Sequence, residues 1–224
     1  MKANFTVQLL IFDLDGTIID TRQDLTAAVN YALGQLGMPE LDEKTVTSYV
    51  GDGITRLLQR VLHEPEEQVL KLGKSHFTAY YAAHLADNTR PYPGIVDMLE
   101  HFSGLKMALV TNKSQEFTLP LLEKLGLRKY FLRVIGGHAG FPAKPSPEAI
   151  LNILASLGVS SSSAVMIGDS RNDILAGQAA KVHTCAVSWG YRPLPELLEL
   201  EPEFVVHHPE DLIALFDSQK KSRD

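Results

Sequence analysis

The chain has 224 residues, 45% hydrophobic and 21% charged, with a formal net charge of −6. Such a composition supports a folded core and argues against disorder, and the acidic balance offers no electrostatic footprint for nucleic acid or an anionic membrane. The length is long for one domain and short for two, so a single core carrying an insertion is expected.

The first apolar run, Gln8 to Phe12, reads as a buried strand and ends in the stretch Asp13-Leu14-Asp15-Gly16-Thr17. Asp13 interrupts the run too early for a secretory signal. Nowhere do about 18 apolar residues run together as a membrane span requires, so a cytoplasmic protein without a membrane partner is expected. From Thr21 to about Asn88 only helical patterns follow. Leu25, Ala28, Val29, Ala32, Leu33 and Leu36 recur at helical spacing after a cap signal at Thr21 and Asp24, and Gly37 and Pro39 end them. Ile54, Leu57, Leu58, Val61 and Leu62 form a second pattern after Gly53; Val69, Phe77, Tyr80, Tyr81 and Leu85 form a third. The prolines of Pro91-Tyr92-Pro93-Gly94 mark a stiff return. Residues 19–90 therefore read as a helical cap inserted into an α/β core made of 1–18 and 91–224.

Further strands are expected at Met107 to Val110, Leu132 to Ile135, Ala164 to Ile167, His183 to Val187 and Phe204 to Val206. Helical patterns lie between most of them, which predicts right-handed crossovers and a doubly wound, mainly parallel sheet covered on both faces. The lone cysteine, Cys185, lies in one of these runs as a small buried hydrophobe, which excludes an internal disulfide framework. After Phe216 the tail DSQKKSRD reads as a frayed polar terminus.

Polar residues follow the strands: Asp13 and Asp15 after the first, Thr111 and Asn112 after the second, Lys144 on the loop after the third, and Gly168, Asp169, Ser170 and Asp173 after the fourth. In an open parallel sheet the carboxyl ends of neighbouring strands border one crevice, so these segments should converge. Carboxylates about 4 Å apart repel by several kcal/mol at an effective dielectric near 20. Lys144 offsets one charge, and a hard divalent cation on oxygen ligands, magnesium rather than calcium, would offset the rest. Zinc lacks a histidine or cysteine pair of ligand spacing. Each segment alone has a plainer meaning: a turn at Asp15-Gly16, a helix cap at Thr111-Asn112, a solvated surface lysine at Lys144. An EF-hand loop starting at Asp13 fails because Ile18 stands where glycine is required. Gly51-Asp52-Gly53 lacks both the preceding strand and the third glycine of a dinucleotide fingerprint, where Arg56 stands, and reads as a contact between cap and core.

These residues together resemble the haloacid dehalogenase superfamily of phosphohydrolases. DLDGT at 13–17, Thr111-Asn112, Lys144-Pro145 and GDSRND at 168–173 are similar to its four motifs. VGDGITRLL at 50–58, YPG at 92–94 and WGY at 189–191 are similar to its phosphoglycolate phosphatase branch; Ala180-Lys181 departs from the usual Ala-Gly, a change expected to affect only a turn. The resemblance implies a magnesium-dependent phosphomonoesterase. Asp13 would be the nucleophile and Asp15 the acid and base. Thr111, Asn112 and Lys144 would hold the phosphoryl group, and Asp13, Asp15 and Asp169 the metal. Asp173 and Ser170 would orient that shell, and Arg56 would meet a substrate carboxylate. The substrate would be a small phosphorylated metabolite, 2-phosphoglycolate first, and the enzyme a monomer or homodimer. A phosphatase for another metabolite, a sugar phosphomutase and a phospho-accepting signalling module are the competing readings. A signalling module fits the cap and the second acid poorly, and a dehalogenase would leave Asp15 without a task.

Overall fold

The computed structural model describes residues 5–217, so the tail expected to fray lies, from residue 218 on, outside the described residues. The chain begins with β1 (Leu9–Phe12) and β2 (Ile19–Asp20), then four helices, α1 (Arg22–Gln35), α2 (Glu43–Tyr49), α3 (Ile54–Val61) and α4 (Glu67–Ala83). Next come β3 (Arg90–Pro91), α5 (Ile95–His101), β4 (Lys106–Ser114), α6 (Gln115–Lys124), β5 (Arg133–Gly137) and α7 (Glu148–Leu157). The fold closes with β6 (Ala164–Gly168), α8 (Arg171–Ala179), β7 (His183–Val187), α9 (Leu194–Leu198), β8 (Phe204–Val206) and α10 (Pro209–Asp217).

Six strands form one parallel sheet in the order β5-β4-β1-β6-β7-β8. β1 lies inside it, with Leu9 opposite Lys106 of β4 and Ala164 of β6. Leu9 and Ile11 pack into one apolar cluster and Leu10 and Phe12 into another, since alternate residues of a strand face opposite sides. Both sides are covered, so β1 is buried throughout and shows a continuous apolar run. The doubly wound architecture expected from the alternation of strands and helices is the one observed.

Between β2 and β3 the four helices pack α1 against α4 and α2, and their buried side chains, among them Leu25, Leu57, Phe77 and Tyr81, continue one of the sheet's own clusters. Three helices match the expected patterns. The fourth, α2, escaped them because seven residues with few apolar positions carry little periodicity; Asp42 starts it by accepting from the Thr45 amide at 2.9 Å. The two ends of the insertion pair directly, Ile19 with Pro91 and Asp20 with Arg90 in a short antiparallel ribbon.

Two expectations are corrected locally. Thr21 stands at the start of α1 but its hydroxyl makes no cap; Asp24 instead accepts from the Asn88 amide at 3.0 Å and from the Thr89 amide and hydroxyl at 2.8 and 2.6 Å, clamping the far end of the insertion. Thr111 and Asn112 do not cap a helix either. β4 runs on through them to Ser114, with a register shift against β5 between Val110 and Ser114. Lys181 takes a left-handed φ of 57° in the turn before β7. None of the helices among the described residues is long and apolar enough to cross a membrane.

Candidate active site

Sheet order assembles the site. Asp13 follows the last residue of β1; on one side the flanking strand β4 carries Thr111, and on the other Asp169 follows the last residue of β6. Lys144 reaches in from the loop after β5, beneath the end of β4. Its ammonium donates to Asp13 Oδ1 at 2.7 Å, Asp173 Oδ1 at 2.6 Å and the Val110 carbonyl at 2.7 Å, using all three protons. Asn112 fixes that loop, because its side-chain oxygen accepts from the Lys144 amide at 2.8 Å while its nitrogen donates to the Lys144 carbonyl at 3.0 Å. Thr111 is buried, with Oγ1 accepting from the Lys113 amide at 3.2 Å.

Asp169 is held from both sides. Thr17 donates its hydroxyl to Oδ1 at 3.2 Å, and the Tyr191 amide donates to Oδ2 at 2.7 Å. Two glycines let backbone lie against this carboxylate. A Cβ on Gly16, which has a φ of +87°, would come within 2.4 Å of Asp169 Oδ2, and one on Gly190 within 2.2 Å of its Cβ. Asp173 lies deeper; its Oδ2 accepts from the Ser170 amide and hydroxyl at 2.9 and 2.6 Å, so Ser170 and Lys144 between them occupy both oxygens.

Burial raises the pKa of Asp169 to about 8, reinforced by Asp173 and Asp13. Burial likewise pushes Asp13 upward, against the lowering effect of Lys144 beside it. Asp13, Asp169 and Asp173 each offer a carboxylate oxygen within 4.8 Å of one another. Counting Asp15, four carboxylates meet two ammonium groups, Lys113 and Lys144, leaving two negative charges in excess when all are ionised. An all-oxygen donor set with that excess fits a hard divalent cation such as magnesium. Asp173 gives one oxygen to the Lys144 ammonium and the other to Ser170, whereas Asp169 meets only the neutral Thr17 hydroxyl and Tyr191 amide and has no cationic partner among the described residues; Asp169, with Asp13 beside it, is therefore better placed than Asp173 to take the cation.

A sequence profile of the haloacid dehalogenase-like hydrolases matches residues 10–187. The chain belongs to this family. Among its relatives, a phosphoglycolate phosphatase of Neisseria meningitidis is 36% identical, covering 97% of each chain, and one of Neisseria gonorrhoeae is 40% identical over 83% of this chain and 81% of that one. A crystal structure described as a predicted phosphoglycolate phosphatase from Haemophilus somnus superposes with a TM-score of 0.88 at 28% identity, covering 93% of this chain and 97% of that one.

In this haloacid dehalogenase-like hydrolase Lys113 and Tyr81 join the site although no motif in the sequence marked them. Asp15 Oδ1 accepts from Thr21 Oγ1 at 2.8 Å and from Lys113 Nζ at 3.1 Å, and Lys113 also donates to the Tyr81 hydroxyl of α4 at 2.7 Å. Tyr191 reaches the same edge through a 2.9 Å hydrogen bond between its hydroxyl and that of Thr21. The loop before α3 is fastened to the sheet edge. Gly51 offers its carbonyl to Asn112 and Asn172 at 2.9 and 3.2 Å, Asp52 accepts from Asn172 at 2.7 Å, and Arg192 donates to the carbonyls of Ser48 and Val50. The expected cap-to-core contact at Gly51-Asp52-Gly53 therefore exists.

Arg56 is the site residue the fold does not bring in. It is exposed on α3, donates to Gln59 at 2.9 Å, and is absent from the residues lining the cavity between helices and sheet. Leu57, Leu58 and Val61 turn the apolar stripe of α3 inward, which rotates the preceding position toward solvent.

Proposed function

We propose that this chain is a phosphomonoesterase that hydrolyses a small phosphorylated metabolite, 2-phosphoglycolate first, through a phosphoryl group carried on Asp13. The observation that carries this reading is the placement of Asp13 at the end of β1, with Lys144 bonded to it at 2.7 Å and Asp169 close across β6. The family match and the relatives named phosphoglycolate phosphatase support the substrate class.

An oxygen of Asp13 attacks phosphorus and the bond from phosphorus to the leaving oxygen breaks, splitting a difficult hydrolysis into two easier steps. Asp15 hands a proton to the leaving oxygen. Water then attacks the aspartyl-phosphate, giving its proton to Asp15 and releasing phosphate with Asp13 restored. Thr111 and the Asn112 amide, presented by the extended end of β4, hold phosphoryl oxygens, and Lys144 meets them by exchanging one of its present partners. Magnesium, held by Asp13, Asp169 and the Asp15 carbonyl, would neutralise charge on the phosphoryl oxygens. Asp173 and Ser170 keep Lys144 and this shell in position. Residues 19–90 act as the cap that keeps stray water from the chemistry, on a core of 1–18 and 91–224.

A screen of phosphate release across 2-phosphoglycolate, sugar phosphates, nucleotides and pyrophosphate, with and without magnesium, tests the reading. Magnesium-dependent turnover of small monoesters is expected. A phosphomutase would instead isomerise sugar phosphates with little phosphate release, and a signalling module would label once and stop. Asp13→Asn should abolish turnover with an unchanged circular dichroism spectrum; a pure sample that still turns over would exclude this nucleophile.

A further inference from the structure

The cavity between helices and sheet has two unlike walls. Asp13, Asp15, Thr111 and Asn112 make up its polar floor, while Leu25, Val50, Ile54, Leu57, Phe77 and Phe117 line the rest with apolar side chains. Among the described residues lining it, Lys113 is the cation. Lys144 is buried beneath the floor and saturated by bonds of 2.6 to 2.7 Å.

Lys113 is held differently. Its contacts to Asp15 are 3.1 and 3.3 Å, longer than the 2.7–2.9 Å usual for a charge-assisted bond, while its bond to the Tyr81 hydroxyl is 2.7 Å and its ammonium lies 4.7 Å from the centre of the Tyr81 ring. Lys113 thus divides its donors between the Tyr81 hydroxyl and both oxygens of Asp15. Lys113 also stands two positions after Thr111 in the irregular end of β4, where both residues line the cavity and the Lys113 amide donates to Thr111 Oγ1 at 3.2 Å. A group bound to Thr111 and a group bound to Lys113 are therefore separated by only a few atoms.

We propose that Lys113, bonded to Tyr81, is the specificity-determining residue of the cavity and receives a carboxylate on the leaving portion of the substrate. This rests on the phosphomonoesterase reading above and narrows its substrate to short phosphorylated hydroxy acids. An apolar wall leaves a buried carboxylate without solvation, so a carboxylated substrate is accepted only where a cation meets it. With Arg56 turned to solvent on Gln59, Lys113 is the group placed to do so.

The test compares kcat/KM for 2-phosphoglycolate with that for 2-hydroxyethyl phosphate, which replaces the carboxylate by a neutral alcohol of similar size. The wild-type protein is expected to prefer the carboxylated ester by at least about thirtyfold, the lower end for a buried charge pair. Lys113→Met should lower both values, with a loss at least about tenfold greater on the carboxylated ester, mostly in KM. Tyr81→Phe, which removes one hydroxyl and keeps the ring, should shrink the preference in the same direction. Equal losses on both esters in Lys113→Met would assign the lysine to Asp15 alone and overturn the proposal. A wild-type protein that hydrolyses both esters equally would overturn it without any variant, leaving the phosphatase reading intact; one that hydrolyses no monoester would sink that reading instead.

Discussion

Asp169 shows how closely the backbone is fitted around one carboxylate. Because Gly190 leaves no room for a Cβ beside it, Gly190→Ala must move either the loop or the acid. We expect a loss of about 1–3 kcal/mol in denaturant unfolding, together with a smaller rise in melting temperature when magnesium is added. A variant with unchanged stability and an unchanged magnesium response would show that this contact does not position Asp169. That Asp13, Thr111 and Lys144 converge was legible because each ends, or follows, its own apolar run, with Asp15 two positions after Asp13. Lys113 was not, although it adjoins Asn112: its partners are Asp15, 98 positions away, and Tyr81, 32 positions away, and only folding joins them. Arg56 shows the converse. A helix was readable there, but which way the arginine points depends on how α3 is rotated against the sheet.

At the level of elements, the loop before α3 is tied down by side chains from three separate segments. Arg192 contributes two donors, one to the Ser48 carbonyl at the end of α2 and one to the Val50 carbonyl of that loop, and both carbonyls gain water when the guanidinium goes. Arg192→Ala should therefore cost only about 1 kcal/mol of global stability. It should raise KM several-fold in steady-state kinetics, because the wall of the cavity is no longer held; an unchanged KM would mean the loop needs no such tie. The strands were readable since parallel strands buried on both faces appear as solid apolar runs. Their ends were less so. The extension of β4 through Thr111 and Asn112 carries polar residues that look like a loop, and these lie in the register shift between Val110 and Ser114, the residues that pair with β5 on either side. The ribbon of β2 and β3 is too short for any periodicity, and it forms only because the insertion returns to its starting point.

For the molecule as a whole, the excess of carboxylates links stability to pH and, under the proposed function, to metal. Asp169 has a pKa of about 8 in the folded chain and an ordinary acidic value when unfolded, so the folded state holds the extra proton between these limits. Its contribution is fully present below about pH 4 and is lost as pH rises toward 8. Magnesium held as proposed would compete with that proton, so the metal-induced increase in melting temperature should grow from pH 6 to pH 8.5. Thermal unfolding with magnesium and with a chelator, across that range, checks the sign. An increment that shrinks with rising pH would place the metal elsewhere. The ribbon carries a different consequence. The chain leaves the sheet at Asp20 and comes back at Arg90, its direct neighbour. Because the two ends of the insertion are fixed to each other, exchanging the stretch between them in one step would leave the residues at the sheet edge, Lys113 among them, in register.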